Sequence, residues 1–133
     1  MAPTFRDLLA ATKKSIKETT VDEVKKLVDS KAAVKLIDVR ETEEYGAGRL
    51  PNAVSVPRGF LELKIEEKAK RDEHLILYCA GGVRSALAAR SLAELGYTNV
   101  QSMAGGYNRW HDAAYPTDTP FVLSTEQKER YRR

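Results

Sequence analysis

Cysteine occurs once in this chain of 133 residues, at position 79, and tryptophan also occurs once. A lone thiol excludes an internal disulfide, a Cys-x-x-Cys redox pair and a cysteine-rich zinc site, so any partner of Cys79 must come from outside. The two histidines, His74 and His111, have no second cysteine to join them, and no metal site is expected. No stretch approaches the roughly 18 unbroken apolar residues that would span a bilayer. The first twenty residues mix charges into every turn, unlike a secretory signal, and their acidic members speak against a transit peptide. The expectation is a soluble, cytoplasmic protein that uses no membrane. Charge of one sign is lacking too: Lys and Arg total 22 against 19 for Asp and Glu, a net +3. That balance does not announce a nucleic-acid binder. Residues 126–133 alone hold four basic and two acidic side chains, so the mild basicity belongs to the end of the chain.

What is present fits one globular domain. Hydrophobic residues make up 42% and charged residues 31%, and a chain of this length buries roughly two-thirds of its unfolded surface without staples. Thr4 with Asp7, followed by Phe5, Leu8, Leu9 and Thr12 at helical spacing, marks a short lead-in helix over residues 1–15. Thr20 and Glu23 form a capping-box pattern before the apolar stripe Val21, Val24, Leu27 and Val28. Branched residues predict a strand over 34–39, followed by a short helix around 41–45. Gly46, Gly48 and Pro51 break the chain before a short strand at 53–56. Residues 60–71 have helical composition with uneven apolar spacing. Leu75-Ile76-Leu77-Tyr78-Cys79 is a continuous apolar run, as suits a central strand covered on both faces. A helix over 85–95 with Gly96 at its end, a strand over 100–103 and a closing helix after Gly105-Gly106 complete the pattern. Strands alternating with helices imply an α/β fold: a mostly parallel central sheet of about five strands with helices on both faces.

The chemistry gathers at Cys79-Ala80-Gly81-Gly82-Val83-Arg84-Ser85, between the most apolar strand and the best-marked helix, where open α/β sheets place their sites. Two glycines allow a tight turn whose N–H groups converge on one point, and the following helix adds its positive dipole end. Such a place favours an anion, including the thiolate of Cys79, with Arg84 as a second positive source. The alternative is that Cys79 is a small hydrophobe closing a core strand. Position and loop chemistry alone leave both open.

Four anchors then occur in order: Leu36-Ile37-Asp38-Val39-Arg40 with Glu44-Tyr45; Gly48-Arg49-Leu50-Pro51-Asn52-Ala53 leading to Val56-Pro57; the cysteine loop; and Gly105-Gly106 with Trp110. Together they resemble the single-domain rhodaneses, the sulfurtransferase family, over residues 16–116, leaving 117–133 as a charged tail. The resemblance implies a double displacement without a cofactor. Cys79 would take sulfane sulfur from a small donor such as thiosulfate, hold it as a persulfide, and yield it to a thiol, cyanide or protein acceptor. It further implies that the amides of Ala80, Gly81, Gly82, Val83, Arg84 and Ser85 hold the terminal sulfur. Arg84 would meet the donor's anionic group, and the Ser85 hydroxyl would bond the cysteine sulfur. Related phosphatases and arsenate reductases have five residues between Cys and Arg. Here there are four, a cradle better suited to a sulfur atom than to a tetrahedral oxyanion. A non-catalytic binding module of the same fold is the other alternative, although such a module has no need of Cys in a Gly-Gly-x-Arg-Ser loop.

Two departures stand out. Arg49 occupies a position where the family commonly has histidine, and Ala80-Gly81 is less basic than the loops of thiosulfate specialists. Asp38 and Arg40 read best as an ion pair fixing a strand end, Arg58 as an exposed arginine, and Trp110 with Tyr107 as an aromatic cover on the core. Gly46-Ala47-Gly48 precedes a strand and is no nucleotide fingerprint. The tail, Leu123 to Arg133, is similar to the opening segment of adenylyltransferases that activate sulfur-carrier proteins. That similarity makes a sulfur carrier, or its activating enzyme, a candidate partner.

Overall fold

The computed structural model describes residues 1–119. Residues 120–133, most of the charged tail including the Leu123–Arg133 segment similar to adenylyltransferases, lie outside the described residues. Five parallel strands form one sheet: β1 (Lys17–Thr19), β2 (Lys35–Asp38), β3 (Val54–Ser55), β4 (Leu75–Tyr78) and β5 (Val100–Met103). Their spatial order is β1-β5-β4-β2-β3, so β4 is central. The helices are α1 (Phe5–Ser15), α2 (Val21–Asp29), α3 (Thr42–Ala47), α4 (Leu61–Lys68), α5 (Val83–Glu94) and α6 (Gly106–Asp112), with a 3-10 turn at Arg58–Phe60. No helix among the described residues is long and apolar enough to cross a membrane.

The apolar run of β4 is explained by its alternation between two cores. Leu75, Leu77 and Cys79 pack with Ile37, Val39, Leu61, Ile65, Ala88 and Leu92 on the side of α4 and α5. Ile76 and Tyr78 pack with Leu36, Val21, Val24, Met103 and Trp110 on the side of α2 and α6. Because side chains alternate across a strand, every β4 residue is buried, and no polar position is available in it.

Local signals set the helix starts. The capping box at Thr4 and Asp7 forms in both directions, opening α1. Thr20 accepts the Glu23 N–H at 3.2 Å to open α2, while the Glu23 side chain turns instead to Lys26. The helix expected within 60–71 is shorter, ending at Lys68. One strand goes beyond the elements marked in the sequence: β1, Lys17-Glu18-Thr19, pairs with Gln101-Ser102-Met103 at the sheet edge. α1 packs along α5, where buried Thr12 accepts a hydrogen bond from Arg90 at 3.2 Å. After α6 the chain returns to residue 49, exchanging backbone bonds between Asp118 and Arg49 at 2.8 and 2.9 Å.

Candidate active site

All five strands run the same way, so the chain leaves β2, β3, β4 and β5 at one edge of the sheet, and Cys79 follows β4 at the centre of that edge. The residue is buried, at 1% exposure. Gly82 adopts φ +106°, a left-handed conformation that turns the chain from β4 into α5. The turn brings the Gly82 N–H to Cys79 Sγ at 3.1 Å, and one helical turn later the Ser85 N–H reaches the same sulfur at 3.4 Å. The sulfur thus accepts bonds from the first turn of a twelve-residue helix, the end that favours negative charge. In the thiol form its S–H donates to Ser85 Oγ at 3.5 Å. Ser85 Oγ in turn shares a 2.8 Å hydrogen bond with Ser102 Oγ of β5, and both serines are buried.

A second helix fixes the loop from behind. The N–H groups of Tyr107 and Asn108, at the start of α6, donate to the carbonyls of Cys79 and Ala80 at 2.8 and 3.0 Å. Gly106, at φ +56°, makes that approach possible, because a Cβ there would collide with both carbonyl oxygens. The carbonyls of Cys79 and Ala80 are thus engaged by α6, while the N–H groups of Gly82 and Ser85 meet the sulfur.

Arg84, expected to meet a donor's anionic group, is already engaged. Its Nη1 and Nη2 donate to Oε1 and Oε2 of Glu44 at 2.8 and 3.2 Å. The bond from Arg84 holds the Glu44 carboxyl below the usual range, outweighing its partial burial, with the Glu41 N–H adding to the effect. The same bond raises Arg84, assisted by the Glu44 charge and further by Cys79. Glu44 was visible in sequence only as part of a family anchor. Forty positions separate it from Arg84, and the one available signal was that an arginine in a crowded loop needs a counter-carboxylate.

Asp38 and Arg40 form a buried ion pair at the end of β2. Arg40 donates from its backbone N–H and Nε to Oδ1 at 2.9 and 3.0 Å, and from Nη2 to Oδ2 at 2.7 Å and to the Gly48 carbonyl at 2.6 Å. The guanidinium also lies over the Tyr107 ring at 4.2 Å. Burial opposes its charge, but the Asp38 hydrogen bond and charge raise it overall. Tyr78 beside it is pushed up by burial and by the Asp38 charge, and its hydroxyl accepts the Leu50 N–H at 3.1 Å.

The remaining singled-out residues lie elsewhere. Arg58, expected to be exposed, is half-buried and bonds Glu62 and Ser91 on the flank of α4 and α5; His74 bonds Gln101, and the His111 ring lies beside that of Tyr107. Arg49 stacks on Tyr45 at 4.4 Å. Trp110 is fully buried and donates to the Pro116 carbonyl at 2.8 Å. Among the described residues no group of three or more His, Cys, Asp or Glu is placed to hold a metal.

The chain is similar to several known proteins. YrkF of Bacillus subtilis (strain 168), a protein provisionally named a sulfur carrier, is 35% identical over 96 residues, which cover 72% of this chain and 51% of the relative. The chain therefore spans about half the length of that relative. The thiosulfate:glutathione sulfurtransferase of Homo sapiens is 35% identical over 104 residues, covering 68% of this chain and 90% of the relative. A solved structure from Rhodopseudomonas palustris CGA009, described as a protein of unknown function and possible tyrosine phosphatase, superposes with TM-score 0.80. It is 31% identical and covers 89% of this chain and 96% of its own. The family model for the rhodanese-like domain matches residues 20–113, from the start of α2 through the end of α6. The chain belongs to the rhodanese-like family.

Proposed function

We propose that the protein is a sulfurtransferase whose nucleophile is Cys79, acting through a persulfide on that residue. The observation that carries this is the convergence of the Gly82 and Ser85 N–H groups on a single sulfur at the start of α5. Those donors stabilise negative charge at Sγ without moving, because Gly82 and Gly106 have already set the loop. The hydroxyl pair supports both protonation states. With a thiol, Ser85 Oγ accepts S–H and donates to Ser102; with a thiolate, Ser102 donates to Ser85, which donates to sulfur.

In the first displacement the Cys79 thiolate attacks the sulfane sulfur of a donor such as thiosulfate. The new S–S bond forms as the donor's S–S bond breaks, and sulfite leaves with the electron pair. The product is an anionic persulfide, whose terminal sulfur lies in reach of the loop from Ala80 to Ser85. An acceptor thiolate, or cyanide, then attacks that terminal sulfur and releases the Cys79 thiolate. These 133 residues hold no second cysteine, so the acceptor comes from outside them: a small thiol, cyanide or a sulfur-carrier protein. The same reading keeps residues 16–116 as the transferase domain and places the protein in a reducing compartment such as the cytoplasm, where a free thiol persists. Sulfur is favoured over phosphate by the four-residue spacing from Cys79 to Arg84, and the name of the Homo sapiens relative is for the same chemistry.

Intact mass spectrometry after exposure to thiosulfate tests the proposal. The wild type should gain about 32 Da, one sulfur atom, removable by cyanide, and Cys79→Ser should gain nothing. No gain across several sulfane donors would overturn the enzyme reading in favour of a binding module. Cys79-dependent turnover of an aryl phosphate would overturn it in favour of a phosphatase.

A further inference from the structure

The cation that the cysteine loop itself carries is occupied. Arg84 directly precedes Ser85, whose N–H touches Cys79 Sγ, yet both terminal nitrogens of its guanidinium are bound by Glu44. A bidentate carboxylate uses the same fork that a sulfonate or phosphate would use. Glu44 is held in this pose from its own side too. It stands at the third position of α3, where Oε1 accepts the Glu41 N–H at 3.1 Å. The pair is only partly buried, with side-chain exposures of 34% and 35%, so an incoming anion has access to it. Glu44 also lines an open cleft of about 630 Å³ with Arg40, Gly48 and Tyr107, which gives its carboxylate room to swing aside.

We propose that Glu44 is a specificity-determining residue: by occupying Arg84 it makes every anionic reactant compete for the cation at the rim of the Cys79 loop. The site is thereby turned away from small dianions such as thiosulfate and toward sulfane donors with no charged group beside the reacting sulfur. Discrimination of this kind comes from a built-in competitor as much as from new attraction. The proposal rests on Cys79 being the attacking sulfur, and it deepens the sulfur-transfer reading by naming the class of donor.

The test uses two alkylating reagents of nearly equal size, anionic iodoacetate and neutral iodoacetamide, on the full chain, with Cys79 modification followed by intact mass. Both react with the same thiolate, so the ratio of their rate constants cancels changes in thiolate fraction and reads only the reagent's charge. Glu44→Gln keeps an oxygen for the Glu41 N–H while removing the competing charge. It should raise the iodoacetate-to-iodoacetamide ratio roughly three- to tenfold at low salt, and added salt should shrink that gain. In Arg84→Ala the unpaired Glu44 carboxylate remains, and the ratio should fall below that of the wild type. In steady state, Glu44→Gln should lower KM for thiosulfate while leaving KM for an uncharged thiosulfonate ester unchanged. An unchanged or lower ratio in Glu44→Gln, movement of both variants in the same direction, or failure of either reagent to reach Cys79 would overturn the proposal. A wild type that is alkylated with the expected ratios but never gains sulfur would instead sink the sulfur-transfer reading, so the two failures are distinguishable.

Discussion

Asp38 and Arg40 sit two residues apart and are both buried, at 0% and 4% exposure. A paired buried charge is tolerable where every donor is met, and Arg40 meets Asp38, the Gly48 carbonyl and the Tyr107 face. Removing one partner leaves the other charged and desolvated. Asp38→Asn should therefore cost about 3–5 kcal/mol, whereas an apolar replacement of both residues should cost less. Chemical denaturation reads this as a lower midpoint at unchanged slope; a shift within error would mean that Gly48 and the rings alone satisfy Arg40. The pairing itself was legible in the sequence, because the two residues close one strand. Glu44 and Arg84 were not legible as a pair. Their meeting depends on how α3 and the start of α5 come together over β2 and β4, and no local pattern encodes that.

Among the elements, β4 and α5 were the most readable, the first by its unbroken apolar run and the second by Ala88, Leu92 and Leu95 ending at Gly96. β1 was the least readable. Lys17-Glu18-Thr19 has neither alternation nor a buried face, being mostly exposed at the sheet edge, so its strand character comes only from the backbone of β5 beside it. Gly105-Gly106 was visible as the opening of a helix, but its purpose was not. The Tyr107 and Asn108 N–H groups hold the loop carbonyls, and a side chain at 106 would sit on them. Gly106→Ala should therefore lower stability by about 1–3 kcal/mol, the range for forced overpacking. It should also reduce the rate of sulfur loading on Cys79 at temperatures where the variant remains folded. Loading at the wild-type rate in a thermally destabilised variant would show that the loop tolerates the shift.

For the molecule as a whole, composition indicated a globular domain and the alternation of strands with helices a layered one, and among the described residues the sheet carries a core on each face. The order of the strands was not in the sequence pattern, since every β-to-helix-to-β step looks alike until the chain is closed up. That order has a consequence for how the protein opens. Native proteins breathe from their margins inward, and amide hydrogens report the free energy of each opening. With β4 third of five strands, two strands lie between its amides and solvent on either side along the sheet. In deuterated water the amides of Glu18 in β1 and Ser55 in β3 should exchange within local fluctuations, while those of Ile76 to Tyr78 should wait for global unfolding. Amide exchange read by mass spectrometry checks this, and equal rates at margin and centre would refute it. On that ranking the margins of the sheet can fray and close many times while the strand that leads into the thiol stays shut.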